Sequence, residues 1–316
     1  MATKTQQRVA SLQLQNKNGY ENDLLAIASG DVEITKKWEL PLTTEERTNR
    51  NNAIFDHWLA GETTTELAYK LHTTRPAIDK VVKYETRLRL DEQLLIEEPP
   101  VYNVWNYATC DQRFGQKHPG QIPGQAVINL LLWLTKPFDI VIDPMAGGGT
   151  TVDVCRYLLR RYHCFDIDPR REDIKKWDIS EGYPRFPQKP NFILLDPPYW
   201  RLKRDEYSAD GSAMSSYENW LKFMNKLARD SYKAIQKGGH IALFIQSFLD
   251  EWESKKYIMA NFDCLNLFLE NKFECVMDIA LNMPTQVKSF RDVKWAKEKG
   301  KILSIKRDVY VFRRNK

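Results

Sequence analysis

The fold expected for this chain is a doubly wound α/β domain with a mostly parallel sheet, preceded by a small all-α module. Two observations predict it. From about residue 101 onward, short apolar runs of strand length alternate with segments of helical period. Between residues 41 and 97 the pattern is helical, and prolines bound that segment at Pro41 and at Pro99-Pro100. The expected parts are therefore residues 1–40, 41–97 and 101–316.

The composition of the 316 residues, 42% hydrophobic and 28% charged, is that of a globular protein in water. The chain has no run of roughly 18 to 20 apolar residues and no apolar core of a signal peptide near its start. We therefore expect a cytoplasmic protein that does not contact a membrane. Its five cysteines are scattered without a CxxC pair, so neither a disulfide framework nor a metal site is expected.

The positive charge is concentrated in residues 283–316, where eleven Lys and Arg stand against three Asp and Glu. A basic region on an otherwise neutral chain is typical of a surface that binds a polyanion. The alternative is a solvated C-terminal edge that has no partner.

Residues 1–40 contain one helical pattern, from Glu21 to Ala28, and residues 41–97 contain three. The first of these begins at Thr43, the second at Thr63, and the third at Arg75, where the following Pro76 suits a first helical turn.

The last two of these helices are joined by a short turn and resemble the helix-turn-helix of many bacterial DNA-binding regulators. In that interpretation Thr74, Arg75 and Lys80 face a major groove. The charge of the module opposes it, because its ten acidic residues outnumber its eight basic ones and DNA binders usually neutralise phosphates. A three-helix packing or dimerisation module is the alternative.

Strands and helices alternate in the larger domain. Strands are expected at residues 139–142, 162–165, 191–195, 240–245, 275–281 and 308–312, and the main helices at 126–135, 150–160, 217–236 and 262–271. In such folds ligands bind at the carboxyl ends of the strands, so the residues directly after each strand are the candidates for a site.

A glycine turn follows the first of these strands, in the segment Asp143 to Thr151, DPMAGGGTT. Its glycines let the backbone approach a ligand closely, and the helix that begins after it offers its N-terminal amides. The turn is neither a Walker A loop, since no Lys follows the glycines, nor a GxGxxG fingerprint, since Val152 takes the place of the third Gly.

Acidic residues are the next two candidates for the site along the chain. Asp166, in FDIDP, is expected to accept hydrogen bonds from the hydroxyls of a ribose, with Asp168 as the neighbouring alternative. Asp178, after Trp177, is expected to accept from an adenine amine, with a helix or turn cap as the alternative.

The segment LLDPPYW ends a further strand and predicts a rigid loop with several hydrogen-bond acceptors. Asp196 and the Pro197 carbonyl would accept both hydrogens of an amine on a planar ring, and Tyr199 would stack on that ring. Stacking of a base on an aromatic side chain contributes about 1–3 kcal/mol.

Together these motifs resemble those of the S-adenosylmethionine-dependent amino-methyltransferases of DNA. The segment from Gln116 to Pro123 is similar to that family's HPxQxP motif. The resemblance implies a seven-stranded, Rossmann-like methyltransferase sheet and the cofactor S-adenosylmethionine, over about residues 101–316. It implies that cofactor-binding residues are His118, Pro119, Asp143, Pro144, Met145, Ala146, Gly147, Gly149, Thr150, Asp166 and Asp178, and that catalytic residues are Asp196, Pro197, Pro198 and Tyr199.

The substrate implied is a base amine, flipped out of the duplex and methylated by direct in-line displacement. The Asp that begins DPPY favours N6 of adenine over N4 of cytosine, and RNA is a further alternative. Few residues remain for a separate target-recognition segment, so DNA contacts are also expected at Arg201, Lys203, Arg204, Lys288 and Arg291. A homodimer, a cognate restriction endonuclease and a catalytically silent DNA-binding subunit remain open.

Overall fold

The computed structural model describes residues 43–93, 98–118, 120–198, 216–249, 256–282 and 289–315. Contacts divide them into two units. The first holds residues 43–93 except 59–61, and the second holds those three residues and everything described from residue 98 onward. The helix expected at residues 21–28 lies outside the described residues.

The first unit contains three helices, as the sequence predicts. They are α1 (Thr44–Leu59), α2 (Thr64–Lys70) and α3 (Arg75–Gln93). Thr63 and Glu66 form a capping box at the start of α2. The helix ends in a Schellman motif with His72 at φ +46°, in which the amide of Thr73 donates to the carbonyl of Ala68. The buried apolar residues of this unit are Ile54, Leu67, Ala68, Ile78, Val81 and Val82.

The second unit is built on a sheet in the order β1-β9-β10-β6-β5-β2-β3-β4. Its strands are β1 (Val104–Asn106), β2 (Ile140–Asp143), β3 (Arg161–Asp166), β4 (Lys175–Lys176), β5 (Phe192–Leu195), β6 (His240–Ile245), β9 (Phe273–Asn282) and β10 (Lys306–Arg314). A separate pair consists of β7 (Phe248–Leu249) and β8 (Tyr257–Ile258). Among the described strands of the large sheet, only β10 runs antiparallel to its neighbours. The predicted doubly wound, mostly parallel α/β fold is confirmed.

The described sheet has eight strands, whereas seven were expected. One contributor is β1, which has only three residues and pairs with β9, with Trp105 opposite Leu281. The sequence gives little sign of this strand, because its outer residues are exposed and only Trp105 is buried.

The helices of this unit are α4 (Gly124–Leu134), α5 (Thr150–Tyr157), α6 (Tyr217–Ala234), α7 (Ala260–Glu270) and α8 (Phe290–Lys299). Strands β2 and β5 are buried along their whole length, and α6 packs against the same core through Trp220 and Met224. Burial of these apolar runs fixes the sheet, and the sheet in turn fixes the position of the residue directly after each strand. No helix in the described ranges is both long and apolar enough to cross a membrane.

One edge of the sheet collects the functional candidates. The parallel strands β2, β3 and β5 end there, at Asp143, Asp166 and Leu195. The antiparallel strand β10 begins there instead, since Asp308 pairs with Ile245 at the end of β6. The first residues of β10 therefore lie at the same edge as the carboxyl ends of the parallel strands.

Candidate active site

The glycine turn joins β2 to α5 with two glycines in the left-handed region. Gly147 has φ +48°, and Gly149, the N-cap of α5, has φ +84°. A Cβ on Gly149 would lie 2.6 Å from a guanidinium nitrogen of Arg171, so this position has neither the conformation nor the room for a side chain.

Asp143 lies at the base of this turn and is fully enclosed. Its Oδ1 accepts from the Met145 amide at 3.0 Å, and its Oδ2 lies 2.5 Å from the Thr151 hydroxyl. The pKa of this carboxyl is raised to about 7, mainly by burial and also by the nearby Asp196 and Asp166, although these two hydrogen bonds lower it. The group thus titrates near neutral pH.

Asp166, at the end of β3, lies against the glycine turn. Its Oδ2 accepts from the Gly147 amide at 2.8 Å, and its Oδ1 accepts from the Asp168 amide at 3.0 Å. Asp166 is buried and Asp168 is exposed, so the structure places the first of the two candidates at the turn. Each oxygen has a second lone pair with which it could accept from a ligand hydroxyl.

Asp178 lies two residues beyond β4, which pairs with the end of β3. Its side chain accepts from the Ser180 amide at 2.8 Å and caps a single 3-10 turn, Ile179–Glu181. The contact that the structure shows is thus the cap that the sequence offered as the alternative.

Asp196 comes directly after β5 and is held by an arginine from the antiparallel strand. Nη1 of Arg307 lies 2.9 Å from both Oδ1 and Oδ2 of Asp196, and Nη2 donates to the Gly120 carbonyl at 3.1 Å. The loop is also anchored at Pro198, whose carbonyl accepts from the buried Trp220 indole at 2.9 Å. These contacts fix both sides of the Asp-Pro-Pro segment.

A cleft of about 580 Å³, partly open to solvent, joins the two loops. It is lined by His118, Gly120, Ile122, Asp143, Met145, Ala146, Gly147, Thr150, Thr151, Leu194, Asp196, Pro197, Pro198 and Arg307. The glycine turn and the Asp-Pro-Pro loop therefore open into one space.

A family model described as DNA methylase, of the N6/N4 methyltransferase type, matches residues 3–176, which is more than half of the 316 residues. The chain belongs to this N6/N4 DNA methylase family. The family predicted from the motifs is thus confirmed. The match includes the glycine turn and Asp166 but ends before Asp196.

Two curated proteins are similar over shorter segments. The chain is 37% identical over 67 residues to the type II methyltransferase M.BglII of Bacillus subtilis. The matched segment is 21% of this chain and 18% of that protein. The chain is 29% identical over 108 residues to the type II methyltransferase M.HinfI of Haemophilus influenzae. The matched segment is 32% of this chain and 29% of that protein. The chain thus spans less than a third of the length of either relative. Among solved structures, TrmN from Thermus thermophilus aligns with a TM-score of 0.39 at 16% identity, over 62% of this chain and 50% of that one.

Nine of the residues predicted from sequence line the cleft. They are His118, Asp143, Met145, Ala146, Gly147, Thr150, Asp196, Pro197 and Pro198. Four others, Pro144, Gly149, Asp166 and Asp178, are not among the lining residues; Asp166 and Gly149 instead support the turn. Pro119 and Tyr199 lie outside the described residues.

A cluster of ion pairs lies beside the glycine turn and supports it. Arg171 donates to both carboxylate oxygens of Asp153 at 2.8 Å and to Asp173 at 2.7 Å. Asp153 also accepts from the Gly115 amide at 2.8 Å, so the cluster ties the turn to the segment before His118. None of the sequence motifs includes Arg171, Asp153 or Asp173. Their position beside the turn in the structure is what identifies them as supporting residues.

The predicted nucleic-acid contacts are exposed where the structure describes them. Thr74, Arg75 and Lys80 are exposed on the first unit, and Arg291 is exposed on α8 of the second. Arg75 pairs with Asp79 at 3.5 Å. Arg201, Lys203, Arg204 and Lys288 lie outside the described residues.

Sequence reasoning missed Arg307, the residue that contacts Asp196. It lies in the basic C-terminal region, which was interpreted as a surface for a polyanion, yet it is only 3% exposed. Part of the positive charge there is therefore internal, which corrects that interpretation for this residue. An Arg at the start of a strand whose next residues are buried is the signal that could have suggested an internal partner.

Proposed function

We propose that this protein transfers a methyl group from S-adenosylmethionine to the exocyclic N6 amine of adenine in a specific DNA sequence. One observation supports this most strongly. The glycine turn and Asp196, the two features that the reaction needs on either side of a transferred methyl group, line the same cleft. Membership in the N6/N4 DNA methylase family supports the reaction class.

The residues of the turn fit the cofactor. In this proposal Asp166, which holds the turn through the Gly147 amide, also accepts from the ribose hydroxyls with its remaining lone pairs, and Gly147, His118 and Asp143 line the space for the methionine part. Gly147 leaves that space open, because even a methyl group there would approach only His118, at 3.7 Å. When bound, S-adenosylmethionine supplies an electrophilic methyl group on a sulfonium.

Asp196 and the Pro197 carbonyl accept the two hydrogens of the base amine and so direct its lone pair toward the methyl group. Positive charge develops on that nitrogen during attack, and the carboxylate of Asp196 stabilises it. We propose that Tyr199 stacks on the base. In duplex DNA the base must first be flipped out, which costs a few kcal/mol.

The helical module supplies DNA contacts in this proposal. Lys80, Lys83 and Arg87 are all exposed on α3, and their spacing of three and four residues places them along one face of the helix. The buried Ile78, Val81 and Val82 are directed to the core of the unit instead. This basic face could follow a phosphate backbone even though the module as a whole carries an excess of acid.

With a DNA substrate, the proposed enzyme would work in the cytoplasm, as expected from the sequence. Association with a second copy or with a cognate restriction endonuclease stays a prediction from the sequence.

The test is methyl transfer from labelled S-adenosylmethionine to unmethylated genomic DNA and, separately, to total RNA, followed by nucleoside mass spectrometry. We expect label in N6-methyldeoxyadenosine, lost in Asp196→Asn and retained in Glu274→Gln. Glu274 pairs with Arg313 near the far end of β10 and makes a matched control. Label in N4-methyldeoxycytidine would correct the base, whereas label only in RNA, or none, would contradict the proposal.

A further inference from the structure

Arg307 occupies an unusual position for an arginine. It is 3% exposed at the start of β10 and lines the cleft together with residues of the glycine turn, the Asp-Pro-Pro loop and the segment that holds His118 and Gly120. Desolvating a guanidinium is costly unless its donors find acceptors, and here Nη1 reaches the Asp196 carboxylate and Nη2 the Gly120 carbonyl. The arginine therefore contacts the Asp-Pro-Pro loop and the segment that holds Gly120 with one rigid, planar group.

The contact with Asp196 defines the orientation of the carboxylate. Nη1 lies 2.9 Å from each oxygen, so rotation of the carboxylate about its own axis would lose one of the two contacts. A carboxylate oxygen that accepts from a guanidinium retains a second lone pair that can accept from an amine. Arg307 can thus hold Asp196 without preventing it from binding a base.

The contact with Gly120 reaches the cofactor side. Gly120 lines the cleft two residues after His118, whose carbonyl accepts from the Gln121 amide at 3.2 Å. His118 Nδ1 lies 2.8 Å from the Gln116 carbonyl, and the Gln116 amide donates to the Gly148 carbonyl at 2.8 Å. A chain of hydrogen bonds thus leads from this segment to the glycine turn.

We propose that Arg307 is a positioning residue that sets the orientation of Asp196 and couples the base-binding loop to the cofactor-binding loop. The inference rests on the proposed function and deepens it, because it explains how the two halves of the site are held in register. Backbone pairing with β9 and β6 holds β10 in the sheet, so the side chain of Arg307 is not what places the strand.

The experiment compares the full-length chain with Arg307→Met, Arg307→Lys, Asp196→Asn and Arg313→Met. Steady-state kinetics give kcat and KM for DNA, and equilibrium titration gives the Kd for S-adenosylmethionine. Arg313 is the matched control, since it pairs with Glu274 near the other end of the same strand.

We expect Arg307→Met to lower kcat about 100-fold, as misplacement of a reacting group does, and to raise the cofactor Kd about tenfold through the lost contact with Gly120. Asp196→Asn should leave the cofactor Kd within about twofold, because it leaves the Arg307 to Gly120 contact in place. Arg307→Lys keeps the charge without the planar fork and should recover only part of kcat, while Arg313→Met should resemble the wild type.

Wild-type kcat and cofactor Kd in either folded Arg307 variant would overturn the inference. Cofactor Kd values raised equally by Asp196→Asn and Arg307→Met would overturn the coupling through Gly120. If the wild type methylates no DNA, the proposed function fails. The inference is then decided by the cofactor Kd and by the Tm of a double variant that combines Arg307→Met with Asp196→Asn. A Tm shift equal to the sum of the two single shifts would contradict the contact.

Discussion

The sheet edge of the second unit and the helical module of the first differ in how firmly their polar side chains are held. At the edge, Asp143, Asp166 and Asp196 each accept hydrogen bonds from neighbours that fix their orientation. On the module, Lys80 and Arg75 are exposed, and the ion pair of Arg75 is a single surface contact. Surface ion pairs contribute about 0 to 1 kcal/mol, so such a contact defines little.

This difference between the sheet edge and the module shows where a sequence motif is informative about function. A polar residue directly after a buried strand has its position set by the core, so motif and geometry agree. A polar residue on a solvated helix face has its position set by the helix alone, and its function depends on what binds there. Substitutions at the edge should therefore change activity and cofactor affinity by more than substitutions on the module change DNA binding.

Replacing Asp196 by Asn should have the largest effect. The amide keeps the size of the side chain but loses the negative charge that stabilises the attacking nitrogen, so kcat should fall about 100- to 1000-fold. Because Asp196 faces the base, the cofactor Kd should hardly change. Rapid-quench methyl transfer and cofactor titration on the same preparation measure both.

A fall in cofactor affinity as large as the fall in kcat would show that the two loops do not have separate tasks. Glu274→Gln serves as the control, since it makes the same chemical change on a half-exposed, ion-paired carboxylate.

Replacing Asp166 by Asn tests the cofactor side of the edge. The amide can keep only one acceptor oxygen, so the Gly147 or Asp168 amide loses its partner and the ribose loses a charged acceptor. Charged hydrogen bonds contribute about 1.5 to 3 kcal/mol, which predicts a cofactor Kd raised about 10- to 100-fold. Saturating cofactor should restore most of kcat, and Asp168→Asn, at the exposed neighbour, should leave the Kd near that of the wild type.

Much of this edge could be predicted because the strands that lead to it are continuous apolar runs. β2, β5 and β6 match their expected positions to within about one residue, and Asp143, Asp166 and Asp196 end up at the expected edge. Each of these predictions needed only local pattern and the rule that ligands bind at the carboxyl ends of parallel strands.

The features that the sequence did not predict depend on contacts between distant segments. Arg307 meets Asp196 across 111 positions of chain, and nothing near either residue specifies the pairing. Asp178 shows another limit, because an acid before a short helical turn has the same pattern whether it caps that turn or binds a ligand. The three-residue β1 is too short to have any period of its own.

The buried Asp143 gives the edge a pH dependence of its own. Its pKa is about 7 in the folded chain, raised mainly by burial and also by the nearby Asp196 and Asp166, against an ordinary value of 3.8. Between these values the folded state holds a proton that the unfolded state has released. The protonated Asp143 therefore makes its full contribution to the free energy of unfolding below about pH 4, and this contribution is lost as pH rises through 7.

Asp143→Asn imitates the protonated acid, since its amide can donate to Thr151 and its oxygen can accept from Met145. We expect the free energy of unfolding of the variant, relative to that of the wild type, to increase by about 2 kcal/mol from pH 5 to pH 8, as measured by urea unfolding. An equal pH dependence in both proteins would contradict a pKa near 7 for Asp143 in the folded chain.

The module provides the smallest expected effect. Replacing Lys80, Lys83 and Arg87 by Ala removes three charges from one exposed face and leaves the buried core of the unit untouched. If this face follows a phosphate backbone, the Kd for DNA should rise about tenfold near physiological salt. The slope of log K against log salt should also become shallower by up to about 3.

The matched control for this variant removes the same charges from α6, as Lys222→Ala, Arg229→Ala and Lys233→Ala, all exposed in the second unit. Equal effects of the two triple variants would mean that the module contributes only net charge, and no effect of the first would favour packing or dimerisation over DNA contact. A loss confined to the first variant, with specificity for the methylated sequence relaxed as well, would assign part of target recognition to the module.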